Sequence, residues 1–148
     1  MAPVLLIAAA SDLRELRIPN KLSLVALAIF AGCAPLLSLD DILMRLLAAG
    51  LVFGVCFLLF ALRILAGGDV KLLSVLMLFI PTPSLLLFGY VFSGSMLIGV
   101  LLIVFIRKYP IPQVQAWASV QQENALPMGI SIALAGLVHL LLLPLLIW

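Results

Sequence analysis

The chain has 148 residues, 66% of them hydrophobic and 9% charged, with a net charge of +2 and a mean hydropathy of +1.40. Soluble domains are about 45–50% apolar and about 25% charged, and a core of this size cannot hide so much apolar surface, so a water-soluble globule is excluded. The small, dispersed positive charge leaves no footprint for nucleic acid, and the expected surroundings are a lipid bilayer holding one integral-membrane domain over residues 1–148.

The opening stretch, MAPVLLIAAASD, ends in three alanines that resemble a cleavage site. It lacks the basic n-region of a signal peptide, so it is read as part of the folded chain. Apolar runs occupy residues 3–11, 22–39, 42–65, 70–80, 84–106 and 126–148. A spanning helix needs roughly 20 apolar residues, which the second, third, fifth and sixth runs supply. The first and fourth are short and need neighbours to shield them. The predicted fold is therefore an all-α polytopic membrane bundle of about six transmembrane helices, some short or broken; the runs are too continuous for a membrane β-barrel. Cys33 and Cys56 lie inside apolar runs and read as small buried hydrophobes, not as a disulfide or a zinc set.

Charge orients this bundle. Arg14, Arg17 and Lys21 follow the first run, Arg63 and Lys71 flank the third and fourth, and Arg107 and Lys108 follow the fifth. The opposite side holds Asp40, Asp41, Arg45 and the turn PTPS, with Arg45 at ion-pair spacing from Asp41 on a helix. All of the eight basic residues but Arg45 thus share one side, which the positive-inside rule makes cytoplasmic. The polar connection RKYPIPQVQAWASVQQEN, with Tyr109 and Trp117 suited to the headgroup level, reads as an interfacial loop.

Of the six acidic residues, Asp40 and Asp41 face the outer side, and Glu15 and Glu123 sit in polar stretches. Asp12 and Asp69 remain, each where an apolar helix meets the cytoplasmic side. Singly, each reads as a helix-end residue, and Asp69 after Gly67 and Gly68 is placed to cap a helix. Together they sit at one depth, and ionisable residues at the membrane are costly enough to point to function. Two adjacent carboxylates share a proton and titrate as a unit. The ionised one can draw a proton from water while the protonated one hydrogen-bonds a carbonyl, which hydrolyses an amide without a metal or a covalent intermediate. The glycines allow close backbone approach and a bend beside the carboxylate. His139, the sole histidine, lies deep in the last run and reads as a packing residue. No metal-ligand spacing occurs, and no cofactor is expected. Lys71 reads as a topogenic charge directed away from Asp69.

SDLRELRIPN at 11–20, AGGDVKLL at 66–73 and LPMGISIALAGL at 126–137, in this order and spacing, resemble the prepilin peptidases, intramembrane aspartyl proteases of the GxGD type, and among them the short form serving Tad/Flp pili. The resemblance implies a catalytic pair of Asp12 and Asp69, with Gly67, Gly68, Pro127 and Gly129 supporting the site. Ala66 stands where the family has its first motif glycine. The resemblance also implies a bacterial inner-membrane, multi-pass enzyme that removes the basic leader from pilin precursors at the cytoplasmic face. The additional cytoplasmic domain with paired cysteines found in longer members is not expected here, and N-methylation is unsupported. Two other readings stay open: a small proton-relay or transporter subunit, which also uses intramembrane carboxylates, and a non-catalytic pilus-assembly membrane protein. The oligomeric state is not legible.

Overall fold

The computed structural model describes residues 1–108 and 128–146. Six α-helices occupy the described residues: α1 (Ala2–Glu15), α2 (Asn20–Cys33), α3 (Leu39–Ala61), α4 (Gly67–Met77), α5 (Leu85–Lys108) and α6 (Met128–Leu146). The elements begin and end where the local chemistry directs. Pro19, which lacks a backbone N–H, stands immediately before α2 with extended backbone. A 3₁₀ turn containing Pro35, Ala34–Leu36, closes the far end of α2. Ser38 caps α3: its Oγ accepts the Asp41 N–H at 3.2 Å and donates to Asp41 Oδ2 at 2.9 Å. Asp40 and Asp41 in that first turn favour the positive end of the helix dipole. Beyond α4, Pro81 precedes a second 3₁₀ turn, Thr82–Ser84, which leads into α5.

Helix α1 packs on α6, α6 on α5, α4 on α3, and α4 also touches α2 and α6. Leu5, Leu72 and Ile132, from α1, α4 and α6, are fully buried and form the middle of the core. The two longest helices do the opposite. Leu51, Leu58, Leu97 and Leu101, like most large apolar side chains of α3 and α5, are exposed. So broad an apolar surface suits lipid, not water.

The spanning count differs from the sequence expectation. Among the described residues two helices, at 39–61 and 82–106, are long and apolar enough to cross a membrane, not six. At 1.5 Å per residue, α1 and α4 reach only about 21 and 16 Å against a hydrocarbon core of about 30 Å. Helix α4 cannot lengthen, because Pro81 and the 3₁₀ turn stop it. Its packing also differs from that of a lipid-facing span, since Asp69, Val70, Leu72, Ser74, Leu76 and Met77 are all buried. Buried Ser74 satisfies its hydroxyl within the helix by donating to Val70 O at 2.6 Å. A second departure concerns Arg45. Its Nη1 donates to Leu78 O at 3.1 Å, 33 residues along the chain, so it fastens α3 to the end of α4 while Asp41 is held by Ser38.

Candidate active site

Asp12 and Asp69 lie at one end of the bundle, just outside the apolar stretches 3–11 and 70–80. Both line a single cavity of about 410 Å³, together with Glu15, Arg17, Asn20 and the backbone of 66–68. Neither side chain is a solvated helix end: Asp12 is 4% exposed and Asp69 is 6% exposed.

Asp12 sits in the last turn of α1, where the chain folds sharply. Leu16 takes the left-handed conformation, φ 50° and ψ 34°, and its N–H donates to Asp12 O at 2.9 Å. A leucine there costs about 1–3 kcal/mol. The turn brings 17–19 back over the site, and Ser11 Oγ secures it by donating to Arg17 O at 2.8 Å. The Asp12 carboxylate is held from the other side by α6: the Gly129 N–H donates to Oδ2 at 2.7 Å, and the Ile130 N–H also favours the ionised form. Both donors belong to the start of α6, where backbone N–H groups lack helical partners and attract anions. Only glycine fits at 129, because a Cβ there would lie 2.8 Å from both Cβ and Oδ2 of Asp12.

Asp69 is the third residue of α4, not its cap; Ala66 takes the cap position with φ −82° and ψ 146°. The Asp69 carboxylate reaches back to the Ala66 N–H, as an acidic third residue does in a capping box. Its Oδ1 is buried without a protein partner. Among the described residues no glycine has positive φ, and Gly67 and Gly68 form the first residues of α4. The two glycines provide space instead. A Cβ on Gly68 would stand 3.0 Å from Ile18 Cβ and 3.3 Å from Ile18 O, whereas one on Gly67 would meet the Phe60 ring at an ordinary 3.4 Å. Gly68 thus lets the 16–19 turn lie directly on the start of α4. At Ala66 the backbone is extended, a conformation open to any residue, so the departure from the motif glycine carries no conformational cost.

Burial raises the Asp12 carboxyl to about 6, opposed by the Gly129 and Ile130 N–H groups. Burial raises Asp69 further, to about 7, and the negative charge of Asp12 adds to the effect while the Ala66 N–H opposes it. Burial thus pushes both carboxyls above the ordinary range, and the two α6 amides favour the ionised form of Asp12.

The residues that sequence reasoning missed lie beside this pair. Glu15 is exposed at the end of α1, as its polar stretch suggested, and it also lines the cavity. Lys71 Nζ donates to Asn20 Oδ1 at 3.0 Å, so its ammonium orders the cavity rim. Pro19 immediately before Asn20 marked where α2 starts, but the partner of Asn20 across the bundle was not readable. Pro127 lies outside the described residues, as do Tyr109, Trp117 and Glu123. His139 belongs to the opposite end, buried, edge-on to Phe88 with ring centroids 5.6 Å apart and with Nε2 3.2 Å from Ser84 Oγ. Among the described residues no group of three or more His, Cys, Asp or Glu side chains converges to hold a metal ion.

A model of the Type IV leader peptidase family matches residues 1–105. The chain belongs to that family. The matched stretch contains Asp12 and Asp69, the two buried acids of the cavity, and ends before Gly129, which supplies the amide on Asp12. Comparison with curated proteins and with solved structures returns no match. Membership in the leader peptidase family, with the lipid-suited surface of α3 and α5, makes this an all-α membrane protein of a protease family.

Proposed function

We propose that the protein is a prepilin-type endopeptidase that removes the leader from Flp-like pilin precursors, with Asp12 and Asp69 as its catalytic pair. The observation that carries the reading is the burial of these two acids, from different helices, in the wall of one cavity. In this mechanism the Asp12 carboxylate, stabilised by the α6 amides, takes a proton from a water molecule as that water attacks the scissile carbonyl carbon. Asp69, protonated, donates its hydrogen bond to the carbonyl oxygen and stabilises the charge that develops there. Collapse of the tetrahedral species breaks the C–N bond, and the proton gathered by Asp12 passes to the leaving amine. Gly68 supports the pair by admitting the Ile18 backbone, Gly129 by admitting the Asp12 carboxylate, and Gly67 gives room beside Phe60; the late motif makes Pro127 a further supporting residue.

The same reading sets the protein in a bacterial inner membrane as a multi-pass bundle, with α1 and α4 as partial spans shielded by their neighbours. The cavity then opens at the cytoplasmic face, since Arg14, Arg17, Lys21, Arg63 and Lys71 cluster near it in sequence. Co-expression with candidate pilin precursors tests the function. The leader is expected to be lost with the native protein and retained with Asp12→Asn and with Asp69→Asn, both variants still inserting into the membrane. Normal cleavage by either variant would overturn the assignment of the pair. Uncut precursor accompanied by proton or solute flux would favour a relay instead.

A further inference from the structure

A groove of about 430 Å³ runs between α2, α3 and α4, and its lining changes from polar to apolar along its length. At the rim are Asn20, the first residue of α2, and Lys71, near the start of α4. Further along stand Leu24, Leu27, Phe53 and Val75. From Asn20 to Leu27 a helix advances about 10 Å, so the groove descends from the polar end of the bundle well into its apolar zone. Leu24, Leu27 and Phe53 are exposed, which opens it to the surrounding lipid.

The rim suits an anion. An ammonium has three N–H donors, and Lys71 spends one on Asn20 Oδ1 at 3.0 Å. Among the described residues no carboxylate pairs with Lys71, and the Asn20 amide N–H₂ is a further donor beside it. The space below suits a thin, flexible apolar chain. A helix with its side chains is about 10–12 Å across, so a volume of about 430 Å³ corresponds to one helical turn or less.

We infer that this groove is the binding site of one anionic phospholipid. Its phosphate is held by Lys71 and Asn20, and one acyl chain lies along Leu24, Leu27 and Phe53. The inference needs the membrane setting but not the peptidase reading. Asn20 also lines the cavity of Asp12 and Asp69, so the bound lipid seats the mouth of that cavity at headgroup depth. A zwitterionic lipid offers the same phosphate, but its own ammonium offsets the attraction of Lys71.

The test uses the full chain in detergent, titrated with phosphatidylglycerol or phosphatidylcholine of identical acyl chains, with bound lipid counted by native mass spectrometry. One phosphatidylglycerol per chain should bind about fivefold or more tightly than phosphatidylcholine, the weight of one lysine facing anionic lipid. Lys71→Gln should abolish that preference and Lys71→Arg should keep it. Leu27→Trp, which fills the groove, should weaken the binding of both lipids. Arg14→Gln, which removes a positive charge outside the groove, should change neither. All three positions are exposed, so these substitutions leave the packed core untouched. Equal affinity for the two lipids overturns the inference, as does a preference that survives Lys71→Gln, or that Arg14→Gln removes equally. Binding unchanged by Leu27→Trp, or glycerol 3-phosphate competing as well as intact lipid, would reduce the site to a surface anion contact and overturn it too. Displacement of the lipid by an apolar helical peptide would assign the groove to a protein partner instead.

Discussion

Gly129→Ala isolates the contact between α6 and Asp12. The new methyl would sit 2.8 Å from Asp12 Oδ2 and Cβ, a separation real atoms do not keep, so either the carboxylate or the start of α6 must move. The 2.7 Å hydrogen bond from the Gly129 amide is then lengthened or lost. A hydrogen bond to a charged group contributes about 1.5–3 kcal/mol, and one pKa unit corresponds to about 1.4 kcal/mol. Because the amide favours the ionised form, its loss raises the carboxyl from about 6 by roughly one to two units. If Asp12 is the base, the acidic limb of the kcat/KM profile for precursor cleavage moves to higher pH by that amount. Activity at pH 6 then falls by about 5- to 50-fold, while the loss at pH 8.5 is markedly smaller. An acidic limb that stays in place in a folded Gly129→Ala protein would refute the assignment of Asp12 as the base steadied by α6.

The same burial has a stability consequence. Both acids have folded pKa values above the ordinary 3.8, about 6 for Asp12 and about 7 for Asp69, so the folded state binds more protons than the unfolded state between these limits. Stability must therefore rise as pH falls from about 7 towards 4 and be lowest above 7, where both must ionise. Asp69→Asn should raise the melting temperature in detergent at pH 8, by an amount worth up to about 4 kcal/mol, and this gain should vanish near pH 4; an unchanged or lowered value at pH 8 would contradict the burial argument. Gly68→Val should displace the turn at Ile18, lowering stability by about 1–3 kcal/mol and cleavage with it, as measured by thermal unfolding and precursor processing. Ala66→Gly, which restores the motif glycine, should leave kcat/KM within about twofold and lower stability by about 0.4–1 kcal/mol, since the extended backbone at 66 does not need glycine. A large gain in activity would show that this position limits the enzyme.

Composition alone fixed the solvent: a chain with this apolar content has no soluble solution, and the long runs at 42–65 and 84–106 became the outward-facing helices α3 and α5. The acids Asp12 and Asp69 could be singled out because charge is rare and expensive in such a chain, and their common side followed from where lysine and arginine fall. Hydropathy, however, reports only whether a segment is apolar, and a lipid-facing span and a core helix share that property. Whether α4 crosses the bilayer or lies shielded inside the bundle depends on its partners, and it is the packing of α3, α2 and α6 around it that buries it. Tertiary structure also decided what touches each acid. The amide on Asp12 comes from Gly129, 117 residues away, and the neighbour that demands glycine at 68 is Ile18. Local sequence carries propensity and charge, but contacts between distant segments arise only when the helices pack, and those contacts set the proton affinity of the pair.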